Sequence, residues 1–473
     1  MPARKSRIWL AAIAVATGPS AAGAAFAAPP PGPPPPAAVP LAPDNPDALL
    51  DWAEASDPGP AFAAAVMHGV TRAPQVQEAQ AQVAEALGLR AEVRAALRPR
   101  VDAEVSAQQV ISRDFSNDPN NILERSRPAQ RADAVLVAEQ LLTDFGASRA
   151  RLAAADARAE AARARVAAVA EDTALQAVSA WLSVRLGEAN LALAEALIAR
   201  HEAILAATRE RVRTGAGAEG DVARVQSFLE AARAERSRAQ EELERARARY
   251  AVALQAAPPP AGAPPGRPVP PPPDTLEQAL ADARASPPTR IAAARIASAQ
   301  RELASARSDR LPRLTTAIDA AKYSLFEDVV DHDVRARLTL RQQLYGGGAP
   351  AARVDQAAAR LRQSEFAAER TTQDAERLAA EAWQSARALD DQTAALRAAY
   401  VASRRTRDLF AEQFRLARGS LLELLRAEAD LNSAAQAWLS RLAQRDLARY
   451  TLAARTGRLL DHLGIEIAKE GAP

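Results

Sequence analysis

The sequence contains no cysteine, and only 4% of its 473 residues are aromatic. The first absence removes disulfides, thiolate metal sites, a nucleophilic thiol and a lipid-bearing N-terminal cysteine together. The second argues against an ordinary enzyme core, since hydrophobic residues reach 48% with alanine the commonest of them. Alanine is the best intrinsic helix former and lets helices approach closely, so the composition points to long, tightly packed helices. After the first 27 residues no segment approaches 18 uncharged apolar residues, so no transmembrane helix is expected in the mature chain. Any part that enters a membrane must then do so as strands.

A charge excess is missing too. The formal net charge is +2, from 60 basic and 58 acidic residues. Arg4, Lys5 and Arg7 belong to a segment that continues with an apolar run from Ile8 to Ala16 and ends at Ala25-Phe26-Ala27, which reads as a signal peptide over residues 1–27, cleaved after Ala27. Its apolar run is too short for a membrane anchor. Without the signal, 57 basic residues face 58 acidic ones, a net −1 that argues against a nucleic-acid partner.

Catalytic patterns are equally scarce. His68, His201, His332 and His462 lie far apart without metal-ligand spacing, and read as solvated or structural. The triplet Gly346-Gly347-Gly348 lacks the lysine of a phosphate loop. No catalytic residue, cofactor or metal site is expected, and the chain does not read as an enzyme.

What the sequence does have is an internal duplication. A Pro-rich N-terminal segment (28–58) and a Pro-rich linker (258–273) frame two repeats, 59–257 and 274–456, with a C-terminal tail at 457–473. Gly146 and Gly348, Trp181 and Trp383, Gly217 and Gly419, Arg151 and Arg353, and Leu142 and Leu344 are all separated by 202 residues. The tryptophans are read as wall packing. Pro74 and Pro99 are 25 apart, as are Pro287 and Pro312.

Each repeat opens with a helical segment, about 60–97 or 275–309, that ends before a proline. Two alternating segments follow, expected as strands at about 100–112 and 131–142, then 313–326 and 333–345. In the clearest, Val334, Ala336, Leu338 and Leu340 share one face, while Asp333, Arg335, Arg337, Thr339 and Arg341 share the other. Glycine joints come next, at Gly146 and at Gly346, Gly347 and Gly348. Long hairpins occupy 147–255 and 349–456. An uninterrupted helical pattern from Ala147 to Thr214 predicts a rod of roughly 100 Å. It carries two apolar rows: Val184, Leu191, Ile198, Leu205 and Val212 every seven residues, and Leu182, Leu186, Leu193, Leu197 and Ile204 on another side. Neighbours on two sides suit a helix in a cylindrical wall.

The first rod turns at Gly215 to Val222, with Gly215 and Gly217 supplying turn conformations and Asp221 expected as the N-cap of the returning helix. The second turns at Ala417 to Leu425, with Gly419, Ser420 as N-cap, Leu421, Leu422, and Glu423 at N3 in a capping-box pattern.

This order of elements, the joints Gln140 to Gly146 and Gln343 to Gly348, and the two tip turns together resemble the TolC family of outer-membrane efflux and secretion proteins, over essentially all of the mature sequence. The family's tip pattern of glycine, spacer and Asp-Val is present as Gly215 and Asp221-Val222. A further position, one turn later, that is often acidic in the family is occupied by Arg426 here, a departure from its pattern. The resemblance implies a mainly α fold with a transmembrane β part, in which a homotrimer shares a 12-stranded β-barrel set on a long periplasmic α-barrel. It implies an outer-membrane channel subunit with a large periplasmic part in a Gram-negative cell. Its role would be the exit duct of a tripartite efflux pump or type I secretion system, a passive conduit for small molecules or unfolded polypeptides. The implied partners are a periplasmic adaptor (membrane fusion) protein, an inner-membrane pump or ABC transporter, and outer-membrane lipid. Four strands cannot close a membrane barrel alone, which points the same way. Arg335, Arg337 and Arg341 are then candidates for the barrel lumen, opposite the apolar face that lipid requires. The leucine-rich run Ser420 to Leu425 leans toward secretion-type members. The competing reading is a soluble periplasmic coiled-coil scaffold or adaptor, which accounts for the seven-residue spacing but not for the paired strands.

Overall fold

Proline sets the first boundaries. The computed structural model describes residues 49–50, 59–112, 129–258, 269–325, 331–416 and 418–466; the expected signal peptide, most of the N-terminal Pro-rich segment, residues 259–268 of the linker, Ala417 and the end of the tail lie outside them. The expected helix at 60–97 is two helices, α1 (Gly59–Arg72) and α2 (Pro74–Ala95), because Pro74 at N1 holds Ala73 in an extended conformation with φ −59° and ψ 125°. Its counterpart at 275–309 is divided in the same way. Ser286, φ −66° and ψ 160°, precedes Pro287 and separates α5 (Leu276–Arg284) from α6 (Pro287–Ser308).

The strands are β1 (Arg100–Gln109), β2 (Gln130–Thr143), β3 (Arg313–Lys322) and β4 (His332–Arg341), paired antiparallel in the order β1-β2-β3-β4. The last ends at Arg341, short of the expected 345, since its one neighbour β3 begins at Arg313 and Pro312 before that has no N–H to offer. A bulge between Leu141 and Thr143 bends β2 where it approaches the first joint.

The rods are α3 (Ala147–Arg213) and α7 (Ala349–Arg415), each of 67 residues, or roughly 100 Å. Their returning partners are α4 (Glu219–Leu254) and α8 (Leu421–Arg455), and a short helix α9 (Leu459–Leu463) closes the described chain. Corresponding rods start and stop 202 residues apart; α2 and α6, like β1 and β3, match at 213. Helix α3 is central, packed against α4, α6, α2 and α8, whereas α7 touches α8, α6 and α5. Small residues allow the approach: a Cβ built on Gly187 would lie 3.1 Å from Leu243 Cα across the α3–α4 contact.

Aromatic side chains pack together in two of the buried clusters. Phe62, Trp181, Tyr250 and Tyr450 form one cluster, with Phe62 5.3 Å from Trp181 edge to face. A second cluster stacks Tyr400 on Trp438 at 5.3 Å and receives Leu49 from the N-terminal segment. Among the described residues no helix is long and apolar enough to cross a membrane.

Candidate functional site

At the tip of the first hairpin, α3 ends in a hydrogen-bonded reversal. Gly215 takes φ +79° and its N–H donates to Val212 O, while the Ala216 N–H donates to Arg211 O, the paired bonds of a Schellman cap. Gly217 does not share the positive φ. A side chain there is opposed by space, since its Cβ would meet Val212 Cγ2 and N at 3.2 Å. Gly419 is likewise without positive φ, and its Cβ would fall 2.9 Å from Gln413 Cβ and 3.0 Å from Phe414 N.

The expected N-cap is displaced. Helix α4 starts at Glu219 with Ala218 as its N-cap, so Asp221 is the third helical residue and its N–H donates to Ala218 O. The turn after Gly217 closes sooner than a cap at Asp221 requires, and the carboxylate instead faces the positive end of the helix dipole from within the first turn. Ser420 does precede α8, yet its side chain makes no capping bond; the capping box with Glu423 is not formed.

Leu421, Leu424 and Leu425 are buried with Ile204, Leu205, Val225, Leu229 and Phe414, with Val222 packed on their edge and Leu422 half-buried. Leu421, Leu424 and Leu425 therefore join the two hairpins through apolar contact. Arg211 of the first hairpin lies 4.4 Å over the Phe414 ring of the second. Glu423 and Arg426 remain exposed.

One group near the tip has no sequence signal. Glu428 of α8, buried, accepts from Arg200 Nε of α3 at 2.7 Å and from Arg407 Nη1 of α7 at 3.4 Å. Arg200 is 1% and Arg407 2% exposed, so two guanidiniums share one carboxylate in the dry interior. The Arg200 Nη1 and Nη2 atoms are buried without a hydrogen-bond partner among the described residues. Charged residues are frequent along all the rods, and nothing in the spacing distinguishes these three.

At the opposite end, register sorts the sheet into two faces. Val101, Ala103 and Val105 stand opposite Ala138, Leu136 and Ala134; Ala138 and Leu136 neighbour Ile318 and Ala320, which face Ala336 and Val334. With Leu338 and Leu340 they make one apolar face, whose large members are exposed: Val105 73%, Val334 66%, Leu338 65% and Ile318 52%. The other face carries Asp102, Glu104, Asp133, Glu139, Asp319, Arg335, Arg337 and Arg341. Arg335 pairs with Asp333, and Arg337 with Asp319 across the strands. A large apolar sheet face left exposed among the described residues calls for an apolar environment.

The joints convert strand into rod. Gly146, φ +102°, and Gly348, φ +82°, are the left-handed N-caps of α3 and α7, a conformation that a side chain would strain. Gly347 is also left-handed, whereas Gly346 is not. Asp144 secures the first joint by accepting from Ser148 N at 2.8 Å and from Ser148 Oγ. Among the described residues no group of His, Asp and Glu could hold a metal ion.

Residues 70–254 match the family model described as outer membrane efflux protein. Among solved structures, CusC superposes with a TM-score of 0.73 at 18% identity, covering 84% of this chain and 91% of that one. The open-state MtrE outer membrane channel of Neisseria gonorrhoeae gives 0.72 at 22%, covering 85% and 90%. The CmeC outer membrane channel of Campylobacter jejuni gives 0.70 at 13%, covering 84% and 86%. At these identities the superpositions establish the fold. None of the curated proteins compared with the chain matches it.

Proposed function

We propose, from the premise that this chain belongs through residues 70–254 to the outer membrane efflux protein family, that it is an outer-membrane channel subunit and a passive exit duct. The observation that carries this reading is the uncovered apolar face of the four-stranded sheet, set on two rods of equal length. Lipid is the environment such a face requires, and the opposite, charged face is the one that water would wet. A coiled-coil scaffold has no use for that sheet.

Among the described residues the outer edges of β1 and β4 are unpaired, and open strand edges in a bilayer are prohibitive. Three copies joined edge to edge supply a 12-stranded barrel, with Arg335, Arg337 and Arg341 toward its lumen, and their rods the periplasmic wall. The tips at Gly215 to Val222 and Gly419 to Glu423 form the mouth, where a periplasmic adaptor docks and an inner-membrane pump or transporter delivers small molecules or unfolded polypeptides. Driving force comes from those partners, and the duct itself performs no chemistry.

Purification from the membrane fraction tests this reading. The protein is expected to require detergent and to scatter light as three copies; a monodisperse detergent-free monomer would overturn it. Leu338→Arg should abolish assembly, because a mid-bilayer arginine facing lipid costs about 2–4 kcal/mol in each copy, whereas Arg337→Leu should assemble. The reverse ranking in membrane yield would invert the two faces.

A further inference from the structure

We infer that neighbouring subunits join β4 to β1 in one fixed register, which sets Arg341 opposite Glu104 of the partner subunit. The inference rests on the trimeric reading above and adds the register and the ion pair that hold the seam.

The duplication supplies the register. Residues of β2 correspond to residues of β4 at an offset of 202, and residues of β1 to those of β3 at 213. The sheet itself obeys this correspondence, for Arg100 faces Glu139, and their equivalents Arg313 and Arg341 face each other. The junction between repeats inside the chain, β2 against β3, is then the template for the junction between chains, β4 against β1. In that template Glu139 faces Ala317 and Val137 faces Asp319. Carried across by the same offsets, Arg341 faces the partner's Glu104 and Thr339 faces the partner's Ser106.

Charge supports this register independently. In the first repeat the pair Arg100–Glu139 is complementary, but the equivalent pair Arg313–Arg341 places like charges directly opposite, which is destabilising. Arg335 and Arg337 have carboxylate partners, whereas Arg341 has none among the described residues, and neither has Glu104 a cation. One copy's unanswered arginine and the next copy's unanswered glutamate lie on the same face of the sheet, each on an edge strand. Head-to-tail pairing of unlike edges repeats around a ring until it closes.

The natural absence of cysteine makes the register measurable. Membranes carrying the double variant Thr339→Cys with Ser106→Cys are oxidised with copper–phenanthroline and analysed after boiling. A covalent, reductant-sensitive trimer is expected at least about tenfold more abundant than with Thr339→Cys and Glu104→Cys, or Thr339→Cys and Gln108→Cys, each displaced by two residues. Strongest crosslinking in a displaced pair overturns the register while leaving the trimer intact. Arg341→Glu and Glu104→Arg should each lower the trimer yield about fivefold, and the combined swap should restore it to within twofold. A combined swap no better than the singles overturns the ion pair. Light scattering of the same samples in detergent separates these failures from a failure of the trimer itself, which would appear as a monomer.

Discussion

The two rods have the same length, the same joints and the same tip, yet thirty residues of α3 are buried against nine of α7. Identical architecture has been given two different neighbourhoods. Helix α3 is enclosed by other helices of the chain, while α7 leaves Phe366, Val401 and Leu409 exposed. Equivalent positions have diverged accordingly. Glu171 is buried in α3, whereas its counterpart in α7, Gln373, is exposed. Duplication gives the length of a wall, and divergence distinguishes its interior from its margins.

The sharpest way to break this contrast is at the buried ion group. Glu428→Leu should cost about 3–5 kcal/mol, because it leaves the guanidinium of Arg200 buried without a carboxylate and that of Arg407 with Asp408 alone. On the margin, Glu412→Leu removes an exposed i,i+3 partner of Arg415 and should leave stability nearly unchanged. Denaturant unfolding of the detergent-solubilised variants compares the two directly, and equal losses would contradict the division into interior and margin.

A smaller and pH-dependent contrast comes from Glu171. Burial pushes its carboxyl up to about 8, outweighing the hydrogen bond it accepts from the Leu460 N–H at 3.5 Å, with Asp461 adding repulsion. The folded chain thus keeps a proton that the unfolded chain releases near the ordinary 4.5, so stability falls as pH rises from about 4.5 to about 8. Glu171→Gln should remove that dependence, gaining on the order of 2–4 kcal/mol over the natural protein at pH 8.5 and much less at pH 5. Gln373→Glu, on the exposed margin, should show no such window. Melting temperatures at the two pH values decide it.

The smallest effect separates the two tryptophans. Trp181 is packed among Phe62 and Tyr250, with its indole nitrogen making no hydrogen bond among the described residues, while Trp383 donates from Nε1 to Pro273 O at 3.1 Å. Replacement by phenylalanine at 383 therefore releases the linker at a cost of about 1 kcal/mol for the lost hydrogen bond, and should speed proteolysis near Pro273. The same replacement at 181 loses ring area only, and should leave the linker's cleavage rate unchanged.

Much of this was legible in the sequence for a physical reason. Glycine joints impose backbone conformations locally, so Gly146 and Gly348 mark boundaries whatever surrounds them; Pro74 and Pro287 act the same way, yet the expected helices run across both. Period-two alternation at Val334 to Arg341 likewise declares two faces without reference to other strands. Long-range facts were not legible. Arg200 and Glu428 are 228 residues apart in a chain dense with both charges. Asp221 fits an N-cap by residue type, but the preceding reversal places the cap three residues earlier, at Ala218. Trp181 and Trp383 occupy one place in the pattern and two environments in space.

The equal rods also constrain how such a molecule can change in evolution. Each rod runs from a glycine joint to a tip that must meet the other in a shared apolar cluster. One inserted residue would advance its tip by about 1.5 Å and turn every later side chain by roughly 100°. An insertion in one rod alone would therefore unseat both hairpins. Only paired insertions of about seven residues, with matching additions to the returning helices, keep the stripes facing their neighbours. The reach of the wall is thus quantised, in steps of about 10 Å, and its two halves are bound to lengthen or shorten together.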